Sequence, residues 1–123
     1  MILLDTNAIL WILAAEPRSK PLLVYGDPLF ISPVSLLELR YLTEVGRLRT
    51  HPERSMAELA DDSRWLLDSP SSDVLFEAAF DLAWTRDPFD RLLAAHVLCR
   101  RWRLATGDRH LLEHLPEDRK LAL

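Results

Sequence analysis

Apolar positions along the chain form short solid runs and longer interrupted stretches, and their alternation predicts the order of elements. Met1–Leu4 is a continuous apolar run of the kind that makes a buried strand. Asp5-Thr6-Asn7 breaks it with residues suited to starting a helix. Ala8–Ala15 follows, apolar on nearly every side, until Glu16-Pro17 stops it. Such a helix is either buried on several sides or covered by another chain, so Trp11 is read as core or as part of a partner surface. Leu22–Tyr25 predicts a short helix, Gly26-Asp27-Pro28 a turn, and Leu29-Phe30-Ile31 a second buried strand.

A helix is expected from Ser35 to about Gly46, with Leu36, Leu39 and Leu42 on one face. A second is expected over Ser55–Leu67, after His51-Pro52. The break from Pro70 to Asp73 precedes an amphipathic stretch, Asp73–Trp84, whose stripe is Leu75, Phe76, Ala79, Phe80 and Ala83. Asp87-Pro88 opens another helix towards Arg101. Leu104-Ala105-Thr106 reads as a strand, Gly107-Asp108 as a turn, Arg109–Leu115 as a short helix, and Lys120–Leu123 as a terminal strand. Short strands alternating with helices predict an α/β domain with a mostly parallel sheet and helices on both faces. The chain has 123 residues and shows no repeat or long linker, which suits one domain spanning 1–123.

Parallel topology changes how the acidic residues are read, because ligands of such sheets bind beyond the carboxyl ends of the strands. Asp5 follows the first strand and Asp108 the late one. Glu38 is expected in the first turn of the helix after the second strand, and Asp90 in the first turn of the helix opened by Asp87. All four then share one end of the domain. Two carboxylates about 6 Å apart repel by roughly 3 kcal/mol at an effective dielectric near 20, so such a cluster needs protons or a cation. Oxygen-only ligands select hard ions such as Mg2+ or Mn2+, and an ion with open positions suits phosphodiester hydrolysis without a nucleophilic side chain. Each acid also has a local reading. Ser35-x-x-Glu38 fits a capping box, Asp87 and Asp108 fit N-caps, and Asp90 could complement a helix dipole. Ser55-x-x-Glu58 is assigned capping alone.

Charge and composition add bounds. Fifteen Lys and Arg against nineteen Asp and Glu give a net charge of −4, which counts against a general polyanion binder but not against a cation site. The single cysteine, Cys99, excludes an internal disulfide framework and reads as a buried thiol in a reducing compartment. No apolar stretch reaches the roughly 18 residues of a membrane span, and no signal-peptide pattern is visible, so a cytoplasmic location and no membrane partner are expected. His51, His96, His110 and His114 are read as surface groups. The i,i+4 spacing of His110 and His114 hints at zinc but shows no third ligand nearby.

Four blocks, LLDTNAIL at the start, ISPVSLLEL near 31–39, DPFDRLLAAHVL at 87–98 and LATGD at 104–108, resemble the PIN domain in order and spacing. More narrowly, they resemble the VapC-type toxins of prokaryotic toxin–antitoxin pairs. The resemblance covers the whole chain, least clearly between about 46 and 72. It implies a three-layer α/β/α sandwich and a Mg2+- or Mn2+-dependent endoribonuclease. Asp5, Glu38, Asp90 and Asp108 would form the catalytic acids, with Asp5, Asp90 and Asp108 on the metal. Thr6 and Thr106 fall where the family keeps hydroxyls, Asn7 follows the first of them, and Asp87 is placed beside the metal ligands or as an N-cap. Arg91 and Arg109, each directly after an acid, are the candidate RNA contacts, although Arg91 could instead pair with Asp87. The run Arg100, Arg101 and Arg103 is read as a solvated face. The partners implied are RNA, a cognate antitoxin whose amphipathic helix could lie in a groove, and a second copy in a homodimer.

Three rival readings remain open on the residues alone. A haloacid-dehalogenase-type phosphatase would want an Asp where Asn7 stands. A response-regulator-like module would want paired acids after the first strand and a late-strand lysine. A non-catalytic PIN-like interaction domain would keep the acids without the activity.

Overall fold

The computed structural model describes residues 1–48 and 55–123, and His51 therefore lies outside the described residues. Five strands, β1 (Ile2–Leu4), β2 (Leu29–Ile31), β3 (Leu66–Leu67), β4 (Arg103–Thr106) and β5 (Lys120–Ala122), form one sheet in the order β3-β2-β1-β4-β5. Every neighbouring pair is parallel. Side chains alternate across a strand, so three consecutive apolar residues feed two cores. Ile2 and Leu4 join Ile9, Ile12, Ile31, Leu39 and Trp65 on one face. Leu3 joins Leu75, Leu93, Val97, Leu104 and Leu111 on the other. The result is a three-layer α/β/α sandwich.

The helices are α1 (Thr6–Leu13), α2 (Lys20–Val24), α3 (Pro33–Glu44), α4 (Met56–Ala60), α5 (Ser72–Phe80), α6 (Pro88–Arg100) and α7 (Arg109–His114). Two boundaries and one apolar face depart from the sequence reading. The α3 helix starts two residues before Ser35, because Ser32 caps it through Val34 N–H and Pro33 takes the first position, where a missing N–H costs nothing. Ser35 is buried inside the helix, so the expected Ser35–Glu38 capping box does not form and Glu38 sits in the second turn. The expected helix over Ser55–Leu67 stops at Ala60. Ser55 does cap it, accepting from Glu58 N–H, but Leu66–Leu67 pair with Phe30 and Ile31 as the edge strand. Sheet pairing overrides local helix preference there.

The third departure is on α5. Leu75 and Ala79 are buried, but Phe76 and Phe80 are 49% and 71% exposed. The expected five-residue stripe is split, and Leu82, beyond the helix, takes a core position instead. The α1 helix, by contrast, is largely covered. Ala8, Ile9 and Ile12 are buried, and Leu10, Trp11 and Leu13 pack against the first core. No helix among the described residues is long and apolar enough to cross a membrane.

Candidate active site

The strand order places the topological switch between β1 and β4. From β1 the chain crosses to β2 on one side, whereas β4 lies on the other, so a crevice opens beyond their carboxyl ends. Asp5 leaves β1 there, its N–H bonded to the carbonyl of Ala105 in β4. Its Oδ1 accepts from Ala8 N–H at 2.7 Å as the N-cap of α1. Asp108 leaves β4 through Gly107 and caps α7, its Oδ1 accepting from Leu111 N–H at 3.0 Å. Asp87 caps α6, its Oδ1 accepting from Phe89 and Asp90 N–H. Each cap engages only one carboxylate oxygen, so capping and a role in the crevice are compatible.

Electrostatics brings the four expected acids together. Burial pushes Asp90 up to about 7, and Asp87, Asp108, Glu38 and Asp5 add to the rise in that order. Asp5 is 5% exposed. Burial raises it to about 6 and Asp108 adds to the rise, against lowering by hydrogen bonds from Thr106 and Ala8 and by Arg18. Glu38 is also raised, by burial first, then by Asp87 and Asp5, against a hydrogen bond from Thr6. Carboxylates on four separate segments therefore disfavour one another's ionised forms, as a negatively charged crevice requires. They are not tightly clenched. Among the described residues, the one group of three or more His, Cys, Asp or Glu with donor atoms within 4.8 Å of one another is His110, Glu113 and His114.

The hydroxyls fall into place beside the acids. Thr6 Oγ1 donates to Glu38 Oε1 at 2.5 Å, tying α1 to α3. Thr106 hydrogen-bonds the Asp5 side chain, and its Oγ1 also accepts from Asp108 N–H at 3.0 Å. One hydroxyl thus links the acids of β1 and β4. Asn7 is exposed at the start of α1. Tyr41 on α3 packs against Phe89 on α6, ring centres 5.7 Å apart, which sets the helix carrying Glu38 against the helix carrying Asp90.

The arginines are less alike than the sequence suggested. Arg91 donates to the carbonyls of Ala79 and Phe80, 2.7 and 3.0 Å away, so it closes the C-terminal end of α5 rather than pairing with Asp87. Arg109 is 92% exposed and stands 3.7 Å from Glu113. Arg100 is not simply solvated. With the buried His96 it grips Asp68, which follows β3. Burial alone would raise Asp68, but those partners outweigh it and hold its carboxyl below the usual value. His96 is therefore a core group and not the surface histidine expected. Cys99 is free and half-buried, its thiol facing the Val74 carbonyl and raised by burial.

Arg18 is the residue sequence reading missed. It follows Pro17 in a single 3-10 turn, Pro17–Ser19, with no sequence pattern to mark it. In the fold its guanidinium lies 3.6 Å over the Trp11 ring, hydrogen-bonds the Leu123 carbonyl, and acts on Asp5. Both side chains press on Gly107, where a Cβ would meet Arg18 Nη2 at 2.5 Å and Trp11 Cη2 at 2.7 Å.

The PIN domain model matches residues 2–117. The chain belongs to the PIN-domain family. A curated relative, Ribonuclease VapC22 of Mycobacterium tuberculosis (strain ATCC 25618 / H37Rv), is 31% identical over 120 residues, covering 92% of this chain and 91% of the relative. Two solved structures share the fold. A toxin–antitoxin complex from Klebsiella pneumoniae aligns with TM-score 0.72 at 17% identity, covering 99% of this chain and 97% of that one. VapBC2 from Rickettsia felis, bound to a DNA fragment from its promoter, aligns with TM-score 0.67 at 20% identity, covering 100% and 99%. The PIN-like sandwich agrees with the sequence reading, and the phosphatase and response-regulator alternatives lose their footing.

Proposed function

We propose that this PIN-domain chain is a Mg2+- or Mn2+-dependent endoribonuclease, the toxin of a toxin–antitoxin pair. The observation that carries the reading is that Asp5 and Asp108 leave the adjacent strands β1 and β4 at one end of the sheet, where Asp90 is raised by burial and by neighbouring carboxylates. A divalent ion is the natural means of relieving such a site near neutral pH, and an all-oxygen donor set fits a hard one. The ribonuclease name of the 31% identical relative supports the choice of RNA as substrate.

Asp5, Asp90 and Asp108 would hold the ion. When bound, it supplies Lewis acidity towards a phosphoryl oxygen and makes a water nucleophilic at neutral pH. The chain's own groups do the positioning. Thr106 fixes Asp5 and steadies the backbone at Asp108, and Thr6 fixes Glu38, which would orient the attacking water or complete the metal shell. Asp87 adds negative charge at Asp90 while holding the start of α6. Arg109, exposed directly after Asp108, would meet phosphates, whereas Arg18 is engaged by the Leu123 carbonyl and the Trp11 ring. Arg91 is already engaged by carbonyl groups.

The test is RNA cleavage with Mg2+ or Mn2+ by the wild type, Asp5→Asn and Asp90→Asn. Loss of a partner one shell out from a metal costs about 10–100-fold, so loss of a direct ligand should cost at least about a hundredfold. Equal rates in wild type and variants would remove the reading. In the same assay Arg109→Ala should raise KM and flatten the salt dependence. An unchanged salt slope would take Arg109 out of the RNA contact.

The antitoxin and a second copy of the chain are proposed as protein partners. One structural neighbour is a toxin–antitoxin complex and the other is VapBC2 bound to promoter DNA. For the homodimer, the exposed Phe76 and Phe80 of α5, with Pro88 and Leu92, supply apolar surface that a second copy would cover. Wild-type protein should sediment as a dimer and Phe80→Glu as a monomer. A wild type that stays monomeric at high concentration contradicts this.

A further inference from the structure

Helix α7 carries a second group of potential ligands that the acidic crevice does not use. His110, Glu113 and His114 are spaced i, i+3 and i+4, so they rise from one face of the helix. All three are exposed, and one donor atom of each lies within 4.8 Å of the other two. The sequence reading set zinc aside for want of a third ligand. Glu113, between the histidines, is that ligand.

Hydrogen bonds fix which ring nitrogens are free. His110 Nε2 meets the carbonyl oxygen of Trp84 at 2.5 Å. A carbonyl only accepts, so Nε2 carries the proton and Nδ1 of the neutral ring keeps its lone pair. His114 Nδ1 meets the carbonyl of His110 at 2.9 Å, which leaves Nε2 as its lone-pair nitrogen. A ring whose other N–H donates to a backbone carbonyl is the usual arrangement of a metal-bound histidine. The Trp84 indole holds both rings in place, stacked on His114 with centres 4.9 Å apart and 6° between planes, and edge-on to His110 at 5.7 Å. Glu113 has a rival partner in Arg109, but at 3.7 Å between largely exposed side chains that pair is weak and yields readily.

We propose that His110, Glu113 and His114 form a binding site for a borderline transition-metal ion, Zn2+ in the first place, distinct from the oxygen-only crevice. Two imidazoles and one carboxylate with a position left for water are a standard zinc donor set, whereas Mg2+ disfavours imidazole. The site has a structural consequence. Its histidine rings lean on Trp84, in the loop 81–87 between α5 and α6, so an ion held by α7 alone would lock both rings in the orientation that packs on that loop. Asp108 caps α7 and Asp87 ends the loop as the cap of α6. The fixed ring contact would therefore steady two segments that carry acids of the crevice.

Calorimetric titration of Zn2+ should be run on full-length Asp5→Asn/Asp90→Asn protein, so that the acidic crevice cannot compete. We expect one Zn2+ per chain, with affinity falling at least about tenfold when His110→Ala or His114→Ala is added, since outer-shell losses alone reach that size. Glu113→Gln should weaken binding as well. Cu2+ in place of Zn2+ should quench tryptophan fluorescence, and Trp84→Phe should remove that quenching. Because the three side chains are exposed, circular dichroism should show the variants folded. Zinc binding that is absent in the double variant, or undiminished by either histidine substitution, overturns the site.

Discussion

Asp5→Asn separates what the crevice does for function from what it does to stability. The Asp5 carboxyl is raised from 3.8 to about 6, by burial first. At 1.36 kcal/mol per tenfold change in acidity, keeping it ionised in the fold costs roughly 3 kcal/mol relative to the unfolded chain. The sign follows from the direction. Below pH 3.8 the carboxyl is protonated in both states and the cost is absent. As pH rises from there to about 6, the unfolded chain ionises first and stability falls. Asparagine carries no charge at any pH and can still accept from Ala8 N–H, and the roughly 3 kcal/mol is already net of the hydrogen bonds that favour the carboxylate. The metal-free variant should therefore be about 3 kcal/mol more stable than wild type at pH 7.5, a rise of roughly 8–15 °C in Tm for a chain of this size. Near pH 4 the advantage should vanish. Urea or thermal denaturation with a chelator present, at both pH values, measures this. Adding Mn2+ should then stabilise the wild type by about 2.7 kcal/mol at a hundred times its Kd, and the variant by much less. A variant less stable than wild type at pH 7.5, or equally offset at both pH values, would refute the argument that Asp5 is a buried, repelled carboxylate.

Two further outcomes bear on the same crevice. With Asp90 raised to about 7, by burial first and then by its neighbours, ion binding must displace a proton. Cleavage at limiting Mg2+ should fall as pH drops below about 7, and excess Mg2+ should move the profile to lower pH; a profile independent of Mg2+ concentration contradicts this. Thr6→Val removes the donor to Glu38 and should lower kcat by about tenfold with an unchanged circular dichroism spectrum, while Thr6→Ser should restore it. Equal loss in both variants would assign Thr6 to packing alone.

The sequence made the strands most legible where an apolar run meets both cores at once. Leu29-Phe30-Ile31 and Leu104–Thr106 appear within a residue of their observed ends, because a parallel strand covered on both faces cannot tolerate polar interruptions. The edge strand Leu66–Leu67 was not legible, since two exposed leucines after a good N-cap look like the end of a helix. Their strand state comes from Phe30 and Ile31, more than thirty residues away. The split stripe of α5 has a similar cause. Periodicity assigns Phe76 and Phe80 to an apolar face, but only the packing of α6 decides which part of that face is covered.

The acids show why local and long-range readings need not compete. A strand-end aspartate that caps the next helix is held by one oxygen against a backbone N–H, and its Cα is fixed at the carboxyl edge of the sheet. Asp5 and Asp108 both meet this description, and β1 and β4, which deliver them, are adjacent in the sheet. Capping is therefore the device that places these carboxylates in the crevice, at positions set by the strands and not by side-chain flexibility. Glu38 and Asp90 arrive differently, from within α3 and α6, and their placement rests on Thr6 and on the Tyr41–Phe89 contact. In the sequence they are marked by their places in the ISPVSLLEL and DPFDRLLAAHVL blocks. A rigid pair on the sheet and a second pair borne by packed helices give a crevice whose charge is built in, while part of its width is set by helix packing.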